Sequence, residues 1–121
     1  MGTTDTAKKQ LRRLFPTLTP FETPKPEELA ARVIHISTDP QDTVLDCYAG
    51  SGTTPAVAHK MGRTWIAVER ETKTMSEFLK PRLDLVVTGL DGGGVSQSYG
   101  WRGGGSYAYV DLSDVRQREA Q

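Results

Sequence analysis

Residues 46–54, Asp-Cys-Tyr-Ala-Gly-Ser-Gly-Thr-Thr, are the part of the chain best suited to hold a ligand. They follow a short apolar run and precede a helical pattern, so the turn presents backbone N–H groups that a ligand can approach closely. Glu69 ends the next apolar run, 19 positions after Gly50. An acid at about 20 residues from such a turn is suited to bind ribose hydroxyls. The spacing predicts a nucleoside site in which Asp46 and Glu69 face one crevice.

Two other nucleotide-binding loops are excluded by the residues of this turn. A P-loop requires a lysine before its Ser/Thr, whereas Gly52 is followed directly by Thr53 and Thr54. A dinucleotide loop requires a third glycine where this chain has Pro55. The remaining prediction is a nucleoside ligand without a phosphate cradle, and Asp46 favours one that carries positive charge. S-adenosylmethionine, with its sulfonium and ammonium groups, fits; the alternative is a turn that only joins a strand to a helix.

Other candidate residues predict less. His35 and His59 lie on different predicted helices with no Cys or acid at ligand spacing, so we predict no metal site. Aromatic side chains around Arg102 could stack on bases, but the favoured interpretation from the residues alone is a glycine hinge followed by an edge strand that the aromatics pack. They are Tyr99, Trp101 and Tyr107.

Composition limits the kind of protein. The chain has 121 residues, room for one domain, and its 15 Lys+Arg balance 15 Asp+Glu. A formal charge of zero disfavours binding to a polyanion by the isolated chain. Cys47 is the single cysteine, and no apolar run reaches the ~18 residues of a membrane span. We therefore expect a cytoplasmic protein with no membrane partner.

The predicted elements alternate as in an open parallel sheet. A short basic helix at 7–15 is followed by prolines that impose an extended segment, and a helix then runs from Pro26 to about Asp39. Its predicted buried face carries Leu29, Val33 and Ile36, joined by Ala30. Residues 43–47 and 65–68 predict strands buried on both faces, with a helix at 53–61 between them that ends at Gly62. This alternation of helices and strands predicts the α/β fold class. Ligands of such sheets bind beyond the carboxyl ends of the strands.

The last third of the chain is less regular. A helical pattern at 72–88 is interrupted by Pro81, which predicts a kink or two short helices. Eight of the 12 glycines lie between Gly89 and Gly105, and residues 106–112 alternate like an edge strand before a charged tail. The organisation expected is a polar and basic lead-in at 1–20, a ligand-binding α/β region at 21–88, a Gly-rich segment at 89–105, and an edge strand with a disordered tail at 106–121.

Several of these segments, in order, resemble one family. Residues 44–54 are similar to the S-adenosylmethionine loop of the amino-methylating DNA methyltransferases, and residues 21–27, Phe-Glu-Thr-Pro-Lys-Pro-Glu, resemble their upstream cofactor segment. The best match is the modification subunit of type III restriction–modification systems, which also has a Lys- and Leu-rich stretch like 8–15 and a Trp-x-Gly-Gly-Gly-Ser-aromatic segment like 101–107. The resemblance covers roughly residues 7–112. It implies a partial Rossmann-like methyltransferase sheet of class I with flanking helices.

The resemblance also implies roles for individual residues. Thr23 and Lys25 would lie near the methionine carboxylate, and Glu69 would bind the ribose hydroxyls. Asp46 and the two glycines of the loop would surround the methionine and the ribose. Tyr48 keeps an aromatic of the family, so packing there is expected, and Cys47 is expected to be a small buried strand residue. The complete predicted cofactor site comprises Thr23, Lys25, Asp46, Tyr48, Ala49, Gly50, Ser51, Gly52, Thr53, Thr54 and Glu69.

The chain departs from the family at the catalytic loop. These enzymes methylate an exocyclic amine with an Asp/Asn-Pro-Pro-aromatic loop, and no such tetrapeptide occurs in this sequence. The hypothesis is therefore the cofactor-binding part of an adenine-N6 DNA methyltransferase, inactive alone, that would reach DNA through the missing part and associate with a restriction subunit or a second methyltransferase subunit. An alternative is a non-catalytic module that docks onto a separate methyltransferase half. A nucleotide-dependent oxidoreductase domain is a third reading, against which Pro55 argues.

Overall fold

The first described element is a basic helix that also packs against the rest of the protein. The structure, a computed structural model, describes residues 3–16 and 25–113. Helix α1 spans Thr4–Leu14, and the Thr3 side chain caps it by accepting from the Thr6 amide. Lys9, Arg12 and Arg13 are exposed, as expected of the predicted basic face. Ala7 and Leu11 are buried, so one side of α1 packs on the rest of the protein.

Helix α2 occupies the predicted range but buries a different face. It spans Glu27–Ser37 after an extended Pro26. The predicted core residues Leu29, Val33 and Ile36 are 40%, 53% and 76% exposed, and this prediction was wrong. The buried positions are 27, 31 and 34, which have the same spacing on another side of the helix. The small side chain at position 31 lets α2 approach the next helix closely, which periodicity alone does not reveal.

The next three elements form a strand–helix–strand unit in the predicted order. Strand β1 is Thr43–Asp46, helix α3 is Thr53–Lys60 and strand β2 is Thr64–Ala67. The strands are parallel, and Asp46 is the register partner of Ala67. Gly62 has a φ of 72°, consistent with its predicted place just after α3. The α/β prediction is confirmed, because parallel strands joined through a helix define this class.

One face of this small sheet has no cover from the described residues. Val44 and Trp65 pack against the helices. Their neighbours Leu45, Ile66 and Val68 are 45–61% exposed. The expectation of strands buried on both faces was therefore wrong for the described part of the chain. A continuous apolar run cannot distinguish a face that is covered within the chain from one that is not.

The region around Pro81 is one helical segment with an irregular turn. Helix α4 is Thr72–Thr74, a π-helical turn follows at Met75–Leu79, and helix α5 is Lys80–Thr88. The predicted interruption is thus realised as a widened turn directly before Pro81, which has no N–H to donate within the helix. Gly89, with a φ of 78°, ends the segment.

Residues 106–112 do not form the predicted edge strand. The only sheet among the described residues is β1–β2, and residues 101–112 have no regular secondary structure. The alternation of apolar and polar residues in this stretch therefore does not indicate a strand. Tyr107 instead packs its side chain against Trp65 and against the apolar cluster of Ala49, Leu79 and Leu83. The predicted disordered tail lies almost wholly outside the described residues.

Two small apolar clusters form the core. One joins α2, α3 and the Gly-rich segment, and the other joins the ligand loop to the helical segment at 75–88. Their buried members are Ala31, Ile34, Val57, Ala58 and Val95 in the first, and Ala49, Leu79 and Leu83 in the second. Among the described residues, no helix has the length and apolar character needed to cross a membrane.

Candidate functional site

The loop after β1 lies across the end of β2. The Val68 amide donates to the Asp46 carbonyl at 2.8 Å, and the Ala49 amide donates to the Val68 carbonyl at 3.0 Å. These bonds continue the parallel ladder beyond the strands. The Asp46 carboxylate is held there by the Tyr48 amide, which donates to its Oδ1 at 3.0 Å. The carboxylate is thereby fixed at the mouth of the loop.

Glu69 reaches the same loop from the neighbouring strand. Its Oε2 accepts from the Gly50 amide at 2.8 Å, and its Oε1 accepts from the Glu71 amide at 2.9 Å. The Asp46 and Glu69 carboxylates thus both bind backbone N–H groups, Asp46 at Tyr48 and Glu69 at Gly50. Both acids therefore lie at the loop, and the expectation that they face one crevice stays a prediction. Glu69 acts in this structure as a brace for the loop, a role that sequence reasoning did not include.

Glycine is required at the end of the loop. Gly52 has a φ of 84° and is the residue from which α3 starts, with its carbonyl accepting from Ala56 at 3.0 Å. A Cβ at this position would lie 2.6 Å from Leu79 Cδ1. Gly50 also has a positive φ, of 55°. The loop can therefore make its tight turn into α3 only with small residues.

A groove lies beside this loop, between α2 and β1. It has a volume of about 460 Å³ and brings together three predicted site residues, Lys25, Asp46 and Thr54. Its wall is largely apolar and includes Leu29 and Val33, two of the residues that were expected in the core. A cation and a carboxylate at the mouth of an apolar groove can bind a molecule with a polar, charged end and a flat apolar body.

Other predicted site residues point away from this groove. Ala49, Ser51 and Thr53 are buried, and Ala49 belongs to the core cluster beneath the loop. The Thr53 hydroxyl donates to the Lys25 carbonyl at 3.1 Å, so it joins the loop to the upstream segment. Their side chains support the loop from behind. Thr23 lies outside the described residues.

Two expectations drawn from the resemblance do not hold in the described structure. The Tyr48 side chain is 92% exposed, so the expected packing at this position was wrong. Cys47 is exposed, and the expectation of a buried strand residue was wrong. Both follow directly after the last residue of β1, and both are exposed.

Sequence reasoning missed a cluster of buried charges behind the loop. Glu27 is fully buried, and its carboxylate accepts from Lys60 Nζ at 2.7 Å and from Arg82 Nη2 at 2.8 Å. Burial by itself would raise the pKa of Glu27, but the Arg82 and Lys60 cations outweigh it and hold that pKa below its ordinary value. Lys60 also pairs with Asp91 at 2.8 Å. No sequence pattern distinguishes the buried set 27, 31 and 34, which contains Glu27, from the exposed set 29, 33 and 36.

The aromatic side chains near the Gly-rich segment are used for packing. Trp101 Nε1 donates to the Val86 carbonyl at 2.8 Å, and its ring meets His59 edge-to-face at 5.2 Å between centroids. The Tyr107 hydroxyl hydrogen-bonds to the Asp84 carboxylate. That bond lowers the pKa of Asp84, while burial and the neighbouring carboxylate raise the pKa of Tyr107. Trp101 and Tyr107 thus pack within the protein, although the edge strand of the favoured interpretation does not form.

The histidines show no grouping that would hold a metal ion. His59 Nε2 lies 2.8 Å from the Gly104 carbonyl, and Trp65 Nε1 donates to His59 Nδ1 at 3.1 Å. In residues 3–16 and 25–113 no three side chains of the His, Cys, Asp and Glu types come together as metal ligands. His59 is instead a hydrogen-bonded packing residue between the two tryptophans.

Comparison with known proteins defines the class to which this fold and loop belong. The family model for DNA methylases of the N6/N4 type matches residues 2–80. The chain belongs to this family of DNA methylases.

Individual relatives narrow the comparison. The chain is 40% identical over 97 residues to the probable type III restriction–modification enzyme HindVI Mod subunit of Haemophilus influenzae, over 80% of this chain and 13% of that protein. It is 46% identical over 65 residues to the type II methyltransferase M1.MboII of Moraxella bovis, over 52% of this chain and 25% of that one. M.HinfI of Haemophilus influenzae is 53% identical over 51 residues, or 42% of this chain and 14% of that protein. The chain therefore spans a quarter or less of each of these relatives.

Two solved structures are also similar. The crystal structure of M1.HpyAVI matches with a TM-score of 0.47 and 38% identity, over 50% of this chain and 30% of that one. The crystal structure of the M1.HpyAVI–SAM complex matches with a TM-score of 0.47 and 36% identity, over 58% and 31% of the two chains.

Proposed function

We propose that this chain carries the S-adenosylmethionine-binding part of a site-specific adenine-N6 DNA methyltransferase of the type III Mod kind. The observation that carries the proposal is the groove between α2 and β1, where Lys25, Asp46 and Thr54 meet an apolar wall. The amino-acid end of the cofactor has both charges. Lys25 would bind its carboxylate, and Asp46 would bind its ammonium group.

Glu69 completes the proposed site at the ribose. Each of its oxygens accepts one backbone N–H, Oε2 from Gly50 and Oε1 from Glu71. A carboxylate has about four lone-pair sites, so Glu69 can brace the loop and still accept from ribose hydroxyls. Glu69 should therefore contribute more to binding of the nucleoside than to binding of the amino-acid end.

Catalysis would require residues that this sequence does not contain. It has no Asp/Asn-Pro-Pro-aromatic string to bind a flipped base and polarise its amine. We propose that this loop and the recognition of the DNA target come from other residues of a longer subunit or from a separate polypeptide, in the cytoplasm, with a restriction subunit as a further partner. The part described here would supply the cofactor to that complex.

Isothermal titration with two ligands tests the proposed site. S-adenosylhomocysteine contains both the nucleoside and the amino-acid end, whereas 5′-methylthioadenosine lacks the amino-acid end. Asp46→Asn and Lys25→Met should each weaken binding of the first ligand by about tenfold and leave the second unchanged. Glu69→Gln should weaken binding of both ligands.

The matched control is Glu71→Gln, because Glu71 is a neighbouring acid at the surface whose side chain, among the described residues, pairs with Arg70. It should bind both ligands like the unmodified chain. No heat from the unmodified chain with S-adenosylhomocysteine, or equal losses for Glu69→Gln and Glu71→Gln, would count against the proposed cofactor site.

The second candidate function is a module that docks onto a separate methyltransferase half. The observation that favours it is the uncovered apolar face of the sheet, formed by Leu45, Ile66 and Val68. A two-stranded parallel sheet with one bare apolar face is suited to pack against further strands or helices. The partner would be a polypeptide that carries the Asp/Asn-Pro-Pro-aromatic loop.

Co-purification with such a half tests the docking function. Ile66→Glu should abolish co-purification, because it places a charge on the bare face at a residue that does not line the groove. Leu90→Glu is the matched control, since Leu90 is also exposed but lies after α5. Equal retention of the partner by both variants would argue against docking through the sheet.

A further inference from the structure

Four buried charges lie directly behind the proposed cofactor loop. Lys60 Nζ is 2.7 Å from Glu27 Oε1 and 2.8 Å from Asp91 Oδ2, and Arg82 Nη2 is 2.8 Å from Glu27 Oε2. All four side chains are at most 2% exposed. Two cations and two anions balance, so the cluster carries no net charge into the interior. Arg82 also bonds the loop, whereas Lys60 and Asp91 do not, although Lys60 shares the Glu27 carboxylate with Arg82.

Arg82 is the member of the cluster that contacts the loop. Its Nη1 donates to the Ser51 carbonyl at 3.4 Å and to the Thr53 hydroxyl at 3.2 Å. The Thr53 hydroxyl in turn donates to the Lys25 carbonyl at 3.1 Å. A hydroxyl has one proton to donate and two lone pairs, so both bonds can exist together. One guanidinium is thus connected to the loop and to the segment that leads into α2.

Glu27 fixes Arg82 from the other side. It is the first residue of α2, two positions after Lys25, so the upstream segment is held at two points: by Thr53 at the Lys25 carbonyl and by Arg82 at the Glu27 carboxylate. A planar guanidinium can serve these partners at once, because its donors project in fixed directions. A lysine ammonium at the same place would reach Glu27 without reproducing this fork.

We propose that Arg82 is a positioning residue for cofactor binding: it holds the Ser51–Thr53 turn and the Lys25 segment in the one arrangement that forms the groove. The inference rests on the proposed function for its ligand. Arg82 is not among the residues that line the groove, and it acts through Thr53 and Ser51. Glu69 braces the exposed side of the loop at Gly50, and Arg82 braces the buried side.

The main test compares Arg82→Lys with the double variant Lys60→Met/Asp91→Asn. The double variant removes one cation and one anion of the same cluster, at similar burial, without touching the loop. Arg82→Lys should weaken S-adenosylhomocysteine binding about tenfold and speed amide hydrogen exchange at 51–54. The double variant should have a lower unfolding midpoint. Its dissociation constant for S-adenosylhomocysteine and its rate of amide exchange at 51–54 should equal those of the unmodified chain. Equal effects of both variants on affinity and loop exchange would overturn the proposal, because Arg82 would then act only through general stability.

A second pair of variants covers the case in which Arg82→Lys does not fold. Thr53→Val removes the hydroxyl that relays Arg82 to Lys25 and preserves the side-chain shape, whereas Thr53→Ser keeps the hydroxyl. Loop exchange should rise in Thr53→Val and not in Thr53→Ser. If the two behave alike, the relay has no positioning role.

The measurements also separate this inference from the proposed function. Hydrogen exchange at 51–54 needs no ligand, so it tests Arg82 even if the unmodified chain binds no S-adenosylhomocysteine. In that event the cofactor proposal fails, and faster exchange in Arg82→Lys would still assign the loop-holding role. Where the unmodified chain binds and Arg82→Lys binds equally well with an unchanged loop, the positioning role fails and the cofactor proposal stands.

Discussion

Glu27→Gln tests whether the buried charges hold the fold together. The unmodified carboxylate accepts from Lys60, Arg82, Gln10 and the Val95 amide, the last at 3.3 Å. The amide keeps the shape but removes the charge, which leaves two buried cations with only one anion. Removing one partner of a buried ion pair costs about 3–5 kcal/mol. Since small domains are stable by about 5–15 kcal/mol, we expect Glu27→Gln to lose a large share of the free energy of unfolding.

Urea denaturation followed by tryptophan fluorescence measures this loss, because Trp65 and Trp101 both pack within the fold. Glu28→Gln is the matched control: it makes the same chemical change one position along, at a residue that forms no ion pair within the described part of the chain. The control should change stability by less than about 0.5 kcal/mol. A loss below about 1 kcal/mol in Glu27→Gln, or equal losses in the two variants, would refute the account of the cluster.

Three further predictions follow from local geometry. The pKa of Glu27 is lowered in the folded state, so ionisation of this carboxylate stabilises the fold at pH values above its ordinary pKa of 4.5. This stabilisation is lost as the pH falls through the folded-state pKa. Urea midpoints measured from pH 6 downward should therefore fall more steeply in the unmodified chain than in Glu27→Gln. Gly52→Ala should cost about 1 kcal/mol more unfolding free energy than Gly62→Ala, because both have positive φ but only the first Cβ meets a side chain; equal costs would contradict the contact. Tyr107→Phe should raise the pKa of Asp84 toward its ordinary value in an NMR titration, since it removes the hydroxyl donor; an unchanged pKa would show that this bond does not form.

The sequence correctly predicted four local elements and the turn between β1 and α3, but not the absence of a strand at 106–112. Strand and helix ranges agree to within a few residues for α2, β1, α3 and β2, because apolar spacing, prolines and glycines act through short-range sterics. The spacing also placed Glu69 at the strand end beside the loop, since parallel strands end at one edge of the sheet, but its bond to the Gly50 amide was not predicted. These features depend on residues that are close in sequence or joined by one short crossover.

Tertiary structure alone decided which faces are buried and which charges are paired. Positions 27, 31 and 34 of α2 share a spacing with 29, 33 and 36, and only contact with α3 selects the first set. Glu27 meets Lys60, Arg82 and Val95 across 33, 55 and 68 positions of sequence, and no local pattern marks such partners. Burial makes an unpaired charge costly, so the fold must bring these residues together, but a linear sequence does not state which charges will lose their contact with water.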